Sequence, residues 1–303
     1  MSRVLEVEGV RKSFGQIQAL AGVDLSVARG EVFGFLGPNG AGKTTLIRIL
    51  TGFIQADHGW PRILGLDAWR DTVTIKSRIG FLPDVVVFGS GLSGWDFLNY
   101  MGRLRGIRGR PVGQAELLER LQLSESALGR KVKGYSSGMA KKLGLVQAMQ
   151  HDPELLIMDE PTEALDPLIR QAFFDALREA RDRGTTVFMS SHVLPDVQEV
   201  CGRVGLIRDG RIAGLGSVDS LRQGKARTME VRFKKSPPAG FEVPGAKVLS
   251  REGERWRFLA SGDINEVVRA LAAQELLDLV YERQSLDDVF VEYYGGQEGT
   301  AGD

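Results

Sequence analysis

The sequence predicts an α/β fold carrying a phosphate-binding loop and a helical insertion, followed by a small C-terminal α+β domain. Three observations lead there. Val32-Phe33-Gly34-Phe35-Leu36 is apolar on both faces, as a strand inside a parallel sheet should be. It runs into Gly37-Pro38-Asn39-Gly40-Ala41-Gly42-Lys43-Thr44-Thr45, and a helical pattern through Leu46, Ile49 and Leu50 follows. A second apolar strand, Leu155-Leu156-Ile157-Met158, ends in the acids Asp159-Glu160.

The remaining elements follow in order. Val4 to Val10 and Val23 to Val27 read as short strands before the glycine loop. From about residue 90 to 152 the strand signal gives way to helices. Ser93 is an N-cap with Asp96 in an imperfect capping box, followed by Phe97, Leu98, Met101 and Leu104 at helical spacing. Leu117, Leu118 and Leu121 mark a second helix, and Met139, Leu143, Val146 and Met149 a third. Strands return at Thr185 to Ser190 and Val204 to Arg208, separated from Met158 by a helix with Asp166 as N-cap, Pro167 at N1 and Gly184 past its end. Asp209-Gly210 makes a hairpin turn to Arg211 to Leu215.

Near Leu221 to Arg227 the character changes, and a domain boundary is expected at residue 223, giving domains 1–223 and 224–303. Strands are expected at Met229 to Phe233, Lys247 to Leu249, Trp256 to Ala260 and Leu277 to Tyr281, with a helix from Ile264 to Ala273. A last helix opens at Ser285 with Asp288 at N3, its Val289, Phe290 and Tyr293 reading as core, and the tail after Gly295 is polar.

Composition narrows the function. Lys plus Arg and Asp plus Glu number 39 each, so the chain is neutral, which argues against a nucleic-acid binder. The single Cys201 forms no internal disulfide and reads as a buried small hydrophobe. His58 and His151 lack metal-ligand spacing and read as surface or turn histidines. Met1 to Glu6 lacks a signal-peptide core, and no stretch approaches the roughly 18 to 20 apolar residues of a membrane span, so a soluble, intracellular protein is expected.

Gly37 to Thr44 matches G-x-x-x-x-G-K-[ST]. Glycines let backbone N–H groups approach phosphate oxygens, and the following helix presents its positive end to them. Lys43 reaches the β and γ phosphates, and the Thr44 hydroxyl is a ligand for Mg²⁺. Asp159 holds the same metal sphere, while Glu160 is the general base for an attacking water.

These residues resemble the ATP-binding subunit of ABC transporters across essentially the whole chain. Phe14 sits where that family has an aromatic stacking on adenine, and Pro83-Asp84 falls at its Q-loop. Tyr135-Ser136-Ser137-Gly138-Met139 matches the signature motif, Ala164-Leu165-Asp166 the D-loop, and His192 the switch histidine. The resemblance implies a P-loop NTPase ABC cassette: a RecA-like core with an antiparallel β subdomain and the helical insertion. It implies ATP and Mg²⁺ as cofactors, with Asp84 joining Thr44 and Asp159 at the metal. It also implies a head-to-tail dimer, with a second copy or a homologous ATPase subunit, in which Ser136, Ser137 and Gly138 cap the γ-phosphate bound by the other subunit. His192 contacts the γ-phosphate from its own side.

Ser285 to Phe290 resembles the terminal segment of ABC-2-type exporter ATPases. That implies ABC-2-type transmembrane permease subunits as partners, no nucleic acid, and a cytoplasmic location, peripheral on the membrane face. Val85-Val86-Val87-Phe88 is expected either to pack inside or to form an apolar patch receiving a cytoplasmic helix of the membrane partner. Three positions depart from the family pattern: Asp84 in place of Gln, Ser137 in place of Gly, and Glu163-Ala164 in place of a glycine-containing turn. The rival reading is a soluble ABC-type ATPase of translation, DNA repair or cofactor assembly. The single cassette, single cysteine and neutral charge disfavour it.

Overall fold

The chain opens on a long antiparallel hairpin, β1 (Arg3–Phe14) and β2 (Ile17–Ala28). Both strands outrun their apolar stretches, because cross-strand pairing carries Arg11, Lys12 and Ser13 opposite Ala21, Leu20 and Gln18. β3 (Val32–Leu36) is buried at every residue and leads through the glycine loop into α1 (Lys43–Leu50). β4 (His58–Ile63) and β5 (Leu66–Asp67) then extend the hairpin into a four-stranded antiparallel sheet, ordered β2-β1-β4-β5. This is a computed structural model, and it describes residues 2–89, 91–111, 113–218, 227–238, 240–260 and 263–283.

α2 (Thr72–Arg78) and β6 (Ile79–Leu82) precede the helical insertion: α3 (Gly94–Leu104), α4 (Gln114–Arg120), α5 (Glu125–Gly129) and α6 (Ser137–Met149). Ser93 and Asp96 form a complete capping box at α3, with Ser93 Oγ accepting the Asp96 N–H and Asp96 Oδ2 accepting the Ser93 N–H, both at 3.1 Å. Then come β7 (Leu155–Met158), α7 (Pro167–Asp182), β8 (Thr186–Ser191), α8 (Leu194–Val200), β9 (Arg203–Arg208) and β10 (Arg211–Ser217). Asp166 caps α7 by accepting the Ile169 N–H at 3.0 Å. Asp209 and Gly210 both take positive φ, 48° and 70°, turning β9 into β10.

The central six-stranded sheet runs β10-β9-β3-β8-β7-β6, with parallel ladders joining β9, β3, β8, β7 and β6. Phe188 of β8 packs on Phe33 and Phe35 of β3, with ring centroids 5.8 and 5.5 Å apart. α8 presses on β3 so closely that a Cβ at Gly34 would lie 2.5 Å from Val197 Cγ1 and 3.0 Å from Cys201 Sγ. Cys201 is buried there as expected, and burial holds its thiol pKa well above the ordinary value. The consequence for the site is geometric: β3, β7 and β8 deliver their C-terminal loops to one edge of the sheet.

The chain divides into two compact units, Met1–Leu215 and Gly216–Asp303. The second holds β11 (Arg227–Phe233), β12 (Ala246–Glu252), β13 (Arg255–Ala260), α9 (Ile264–Ala272) and β14 (Leu276–Arg283). Its antiparallel sheet, ordered β12-β13-β11-β14, buries alternate residues such as Met229, Val231 and Phe233 with Trp256, Phe258, Val267 and Leu271. The final helix expected from Ser285, with Asp288, Val289, Phe290 and Tyr293, lies outside the described residues, as does residue 223.

His58 is exposed, whereas His151 is half-buried in the turn after α6, its Nε2 3.1 Å from the Ile79 carbonyl oxygen. Burial, aided by the Arg105 charge, pushes its pKa from 6.5 down to about 4. The unfolded chain therefore takes up this proton near pH 6.5 while the folded chain resists it until about 4. Stability should fall as pH drops through that window, by about 2 kcal/mol from this residue once partial exposure is discounted. Urea titrations at stepped pH should show His151→Gln lacking that portion of the slope. Parallel slopes in the two proteins would contradict the assignment.

Candidate active site

Glycine is required twice in the loop after β3. A Cβ at Gly37 would lie 2.5 Å from the Ile207 carbonyl oxygen, and one at Gly42, where φ is +110°, 2.6 Å from that of Ala19. No side chain caps α1 at Gly42, so the amides at its positive end are left for another acceptor. Lys43 is buried, and its Nζ donates to the carbonyl oxygens of Gly37 at 2.6 Å and Pro38 at 3.2 Å. The same ammonium stands 3.2 Å from Glu160 Oε1.

β7 ends by presenting Asp159 and Glu160, and Ser190 of β8 sits between them. Ser190 Oγ donates to Asp159 Oδ1 at 2.5 Å and accepts the Glu160 N–H at 3.1 Å. Burial lifts the Asp159 pKa above the ordinary carboxylate value, opposed by hydrogen bonds from Ser190 and from Thr44. Glu160 takes a left-handed φ of 47°, a strained backbone that a side chain rarely adopts outside functional sites. Its Oε2 lies 2.9 Å from His192 Nδ1 and accepts the His192 N–H at 3.3 Å. Its Oε1 is buried and accepts no hydrogen bond. A carboxylate fixed through one oxygen, with the other ion-paired to Lys43 yet accepting no hydrogen bond, keeps an oxygen that can take a proton from water.

Lys43 and Glu160 line a cavity of about 150 Å³ together with Pro38, Gly40, Thr44 and Asp84 among others. Asp159, Ser190 and His192 support it from behind through Thr44 and Glu160. Asn39, Gly42 and Thr45 line it too, while Ala41 is buried beneath. An oxygen donor set of hydroxyl and carboxylate, Thr44 hydrogen-bonded to Asp159, suits a hard divalent cation. Concave amide and lysine donors suit phosphate. The residues present therefore fit both.

The signature residues stand apart. Ser136, Ser137 and Gly138 do not line this cavity, and Ser136 and Ser137 are exposed at the start of α6. Ser136 is its N-cap, with Oγ accepting the Met139 N–H at 3.3 Å. Ser137 is the first helical residue and takes no positive φ, so replacing a glycine there restricts nothing the fold needs. Ala164, by contrast, does adopt a glycine-like φ of 62°. Its neighbour Glu163 meets the remaining departure: the Glu163 carboxyl hydrogen-bonds Asp84, and burial raises the Glu163 pKa. Phe14 is half exposed at the hairpin tip and is not part of the phosphate cavity's lining. Asp57 fastens that tip by accepting from Lys12 Nζ at 2.6 Å and the Ser13 N–H at 2.7 Å.

Sequence reasoning missed Asp57, Ser190 and Lys141 as site residues. Ser190 ends the strand expected from Thr185, two residues before His192, and its place between the acids depends on β7 and β8 pairing. The Val85 to Phe88 run divides: Val85 and Val87 are exposed, while Phe88 packs on Phe97 at 4.8 Å and near Tyr135 at 6.5 Å. Val86 covers Gly144 of α6. Beside them, Phe53, Phe81, Val87, Phe97, Met101 and Leu104 line an apolar groove of about 590 Å³.

A family profile described as ABC transporter matches residues 20–163. The daunorubicin resistance ATP-binding protein DrrA3 of Streptomyces coeruleorubidus is 35% identical, the match covering 96% of this chain and 96% of that protein. Among solved structures, an ATP-binding subunit of an ABC transporter superposes with a TM-score of 0.67 at 27% identity, covering 73% of this chain and 92% of the other. A bacterial ABC transporter cassette solved as a dimer gives a TM-score of 0.65 at 21% identity, covering 71% and 98%.

Proposed function

Because the chain belongs to the ABC transporter ATP-binding proteins and is an ATPase, we propose that it works in head-to-tail pairs that drive export through separate membrane subunits. The observation carrying this reading is the split site. Lys43, Thr44 and Glu160 line one cavity, with Asp159 bonded to Thr44 and His192 to Glu160, while Ser136, Ser137 and Gly138 lie outside it, the two serines exposed. A second copy, or a homologous ATPase subunit, supplies the missing signature to each cavity. A cassette of the same fold has been solved as a dimer, which supports the arrangement.

In such a pair the loop amides and Lys43 bind the β and γ phosphates, and Phe14 stacks on the adenine. Mg²⁺ would be held by Thr44 and Asp159, with Asp84 at the cavity edge, and would neutralise charge on the phosphates. Glu160 Oε1 accepts the proton of the attacking water, and His192 holds Glu160 through Oε2 while reaching toward the γ-phosphate. Bonds from Ser190 and Thr44 favour the ionised form of Asp159 against its burial. Cleavage removes the group gripped from both sides, so the pair loosens.

Export rests on the full-length likeness to a drug-resistance ATP-binding protein, which also favours transport over translation, repair or cofactor assembly. In this reading the chain acts peripherally, from the cytoplasmic face, on ABC-2-type permease subunits; no helix among its described residues is long and apolar enough to cross a membrane. The groove beside Val87 receives a short cytoplasmic helix of that permease. Phe88 is committed to Phe97 and Tyr135, so the informative substitutions are at Val87 and Leu104, which are 83% and 65% exposed. In co-purified, reconstituted complexes, Val87→Glu and Leu104→Glu should abolish export while leaving the isolated subunit's ATPase within about twofold, as exposed substitutions leave folding intact. Parallel loss of both activities would reject the docking assignment.

A further inference from the structure

We propose that Lys141 is a positioning residue that locks the signature helix to the catalytic base and the Asp84 loop of its own subunit. The inference builds on the paired reading above, in which that helix serves the partner's nucleotide.

Lys141 lies one turn beyond Ser137 on α6, yet it is only 4% exposed. Its Nζ donates to the Asp84 carbonyl oxygen at 2.6 Å and to the Glu160 carbonyl oxygen at 3.0 Å. Asp84 Oδ1 is 3.9 Å away. Burying an ammonium costs several kcal/mol unless strong acceptors replace its water, and two backbone carbonyls plus surrounding acids do so here. Burial lowers the Lys141 pKa, and the acids Asp84, Glu163, Asp159 and Glu160 oppose that shift.

The two carbonyls belong to loops leaving neighbouring strands, β6 and β7, which pair in parallel through Leu82 and Met158. One cation therefore sets the spacing of two catalytic loops from a single helix. It also grips the backbone of Glu160 at the residue whose φ is strained. Two further contacts seat the same helix on the segment that follows. A Cβ at Gly138 would lie 2.8 Å from the Ala164 carbonyl oxygen, and Lys142 Nζ stands 4.0 Å from Asp166 Oδ2. Residues 138, 141 and 142 thus hold 164, 160 and 166. Movement of α6 on capping the partner's phosphate is delivered directly to Glu160.

The compact ammonium matters, since a guanidinium is broader and planar. Lys141→Met keeps the stem and removes the donors. Its kcat should fall about 10- to 100-fold, with KM for ATP within about threefold, because positioning acts on the transition state rather than on binding. Lys141→Arg should recover part of that loss. The second readout is hydrogen exchange. In Glu160→Gln with magnesium and ATP, pairing should protect residues 83–87 and 160–166. In Glu160→Gln/Lys141→Met the pair should still form, but those segments should exchange as in the unpaired protein.

Normal kcat in Lys141→Met, or normal protection in the double variant, overturns the inference. So does a kcat loss that tracks a lowered folded fraction, with faster exchange throughout, because that marks a merely structural role. If Lys141→Met fails to fold, Lys141→Gln carries the same comparison. Failure of the wild type to hydrolyse ATP, or of Glu160→Gln to pair, would instead sink the function proposed above.

Discussion

Glu160→Gln should bind ATP normally and turn it over about a thousandfold more slowly, within the range that loss of a positioned general base produces. The amide keeps the shape of the side chain and its contact with His192 but cannot accept a proton from water. Oε1 is the atom that matters, being buried and ion-paired with Lys43 Nζ at 3.2 Å while accepting no hydrogen bond. Nucleotide affinity and steady-state hydrolysis, measured on the same preparation, separate the two effects. Turnover near the wild-type rate would remove Glu160 from its assigned role.

Lys43→Ala is expected to act on binding itself. The ammonium is 5% exposed, held by the Gly37 and Pro38 carbonyls, and balances the Glu160 carboxylate. Charge-assisted hydrogen bonds to phosphate contribute about 1.5–3 kcal/mol, so ATP affinity should fall about 10- to 100-fold. Removal also leaves Glu160 as a buried anion without its cation, so the variant should melt earlier even without nucleotide. Isothermal titration with ATP and a thermal melt of the nucleotide-free protein check both. Unchanged affinity would mean that Lys43 does not face the phosphates.

Much of this site was legible because its chemistry is local in sequence. Glycines at 37 and 42, a lysine one residue later and a buried strand before them state their structure within a dozen residues. Asp166-Pro167 announces α7, and Ser93 with Asp96 announces α3, for the same reason. What was hidden depends on distant partners. No strand is expected near residue 60, since glycine and proline weaken strands, yet β4 forms because Trp60 and Pro61 pair with Glu8 and Val7 of β1. Lys141 reads as a surface residue of an ordinary helix, since a lysine is almost never fully buried. Only the fold brings the carbonyls of residues 84 and 160 to it. Likewise the Asp84 and Glu163 departures look unrelated along the chain and are neighbours in space.

The account stands or falls on a triphosphate shared between two cassettes. Sedimentation of Glu160→Gln, with and without magnesium and ATP, measures this directly. The expected result is a single 33.2 kDa species without nucleotide and one of twice that mass with it. The pair should be lost again when Ser136→Arg blocks the signature end. A protein that remains at monomer mass in saturating magnesium and ATP, with nucleotide demonstrably bound, would contradict it.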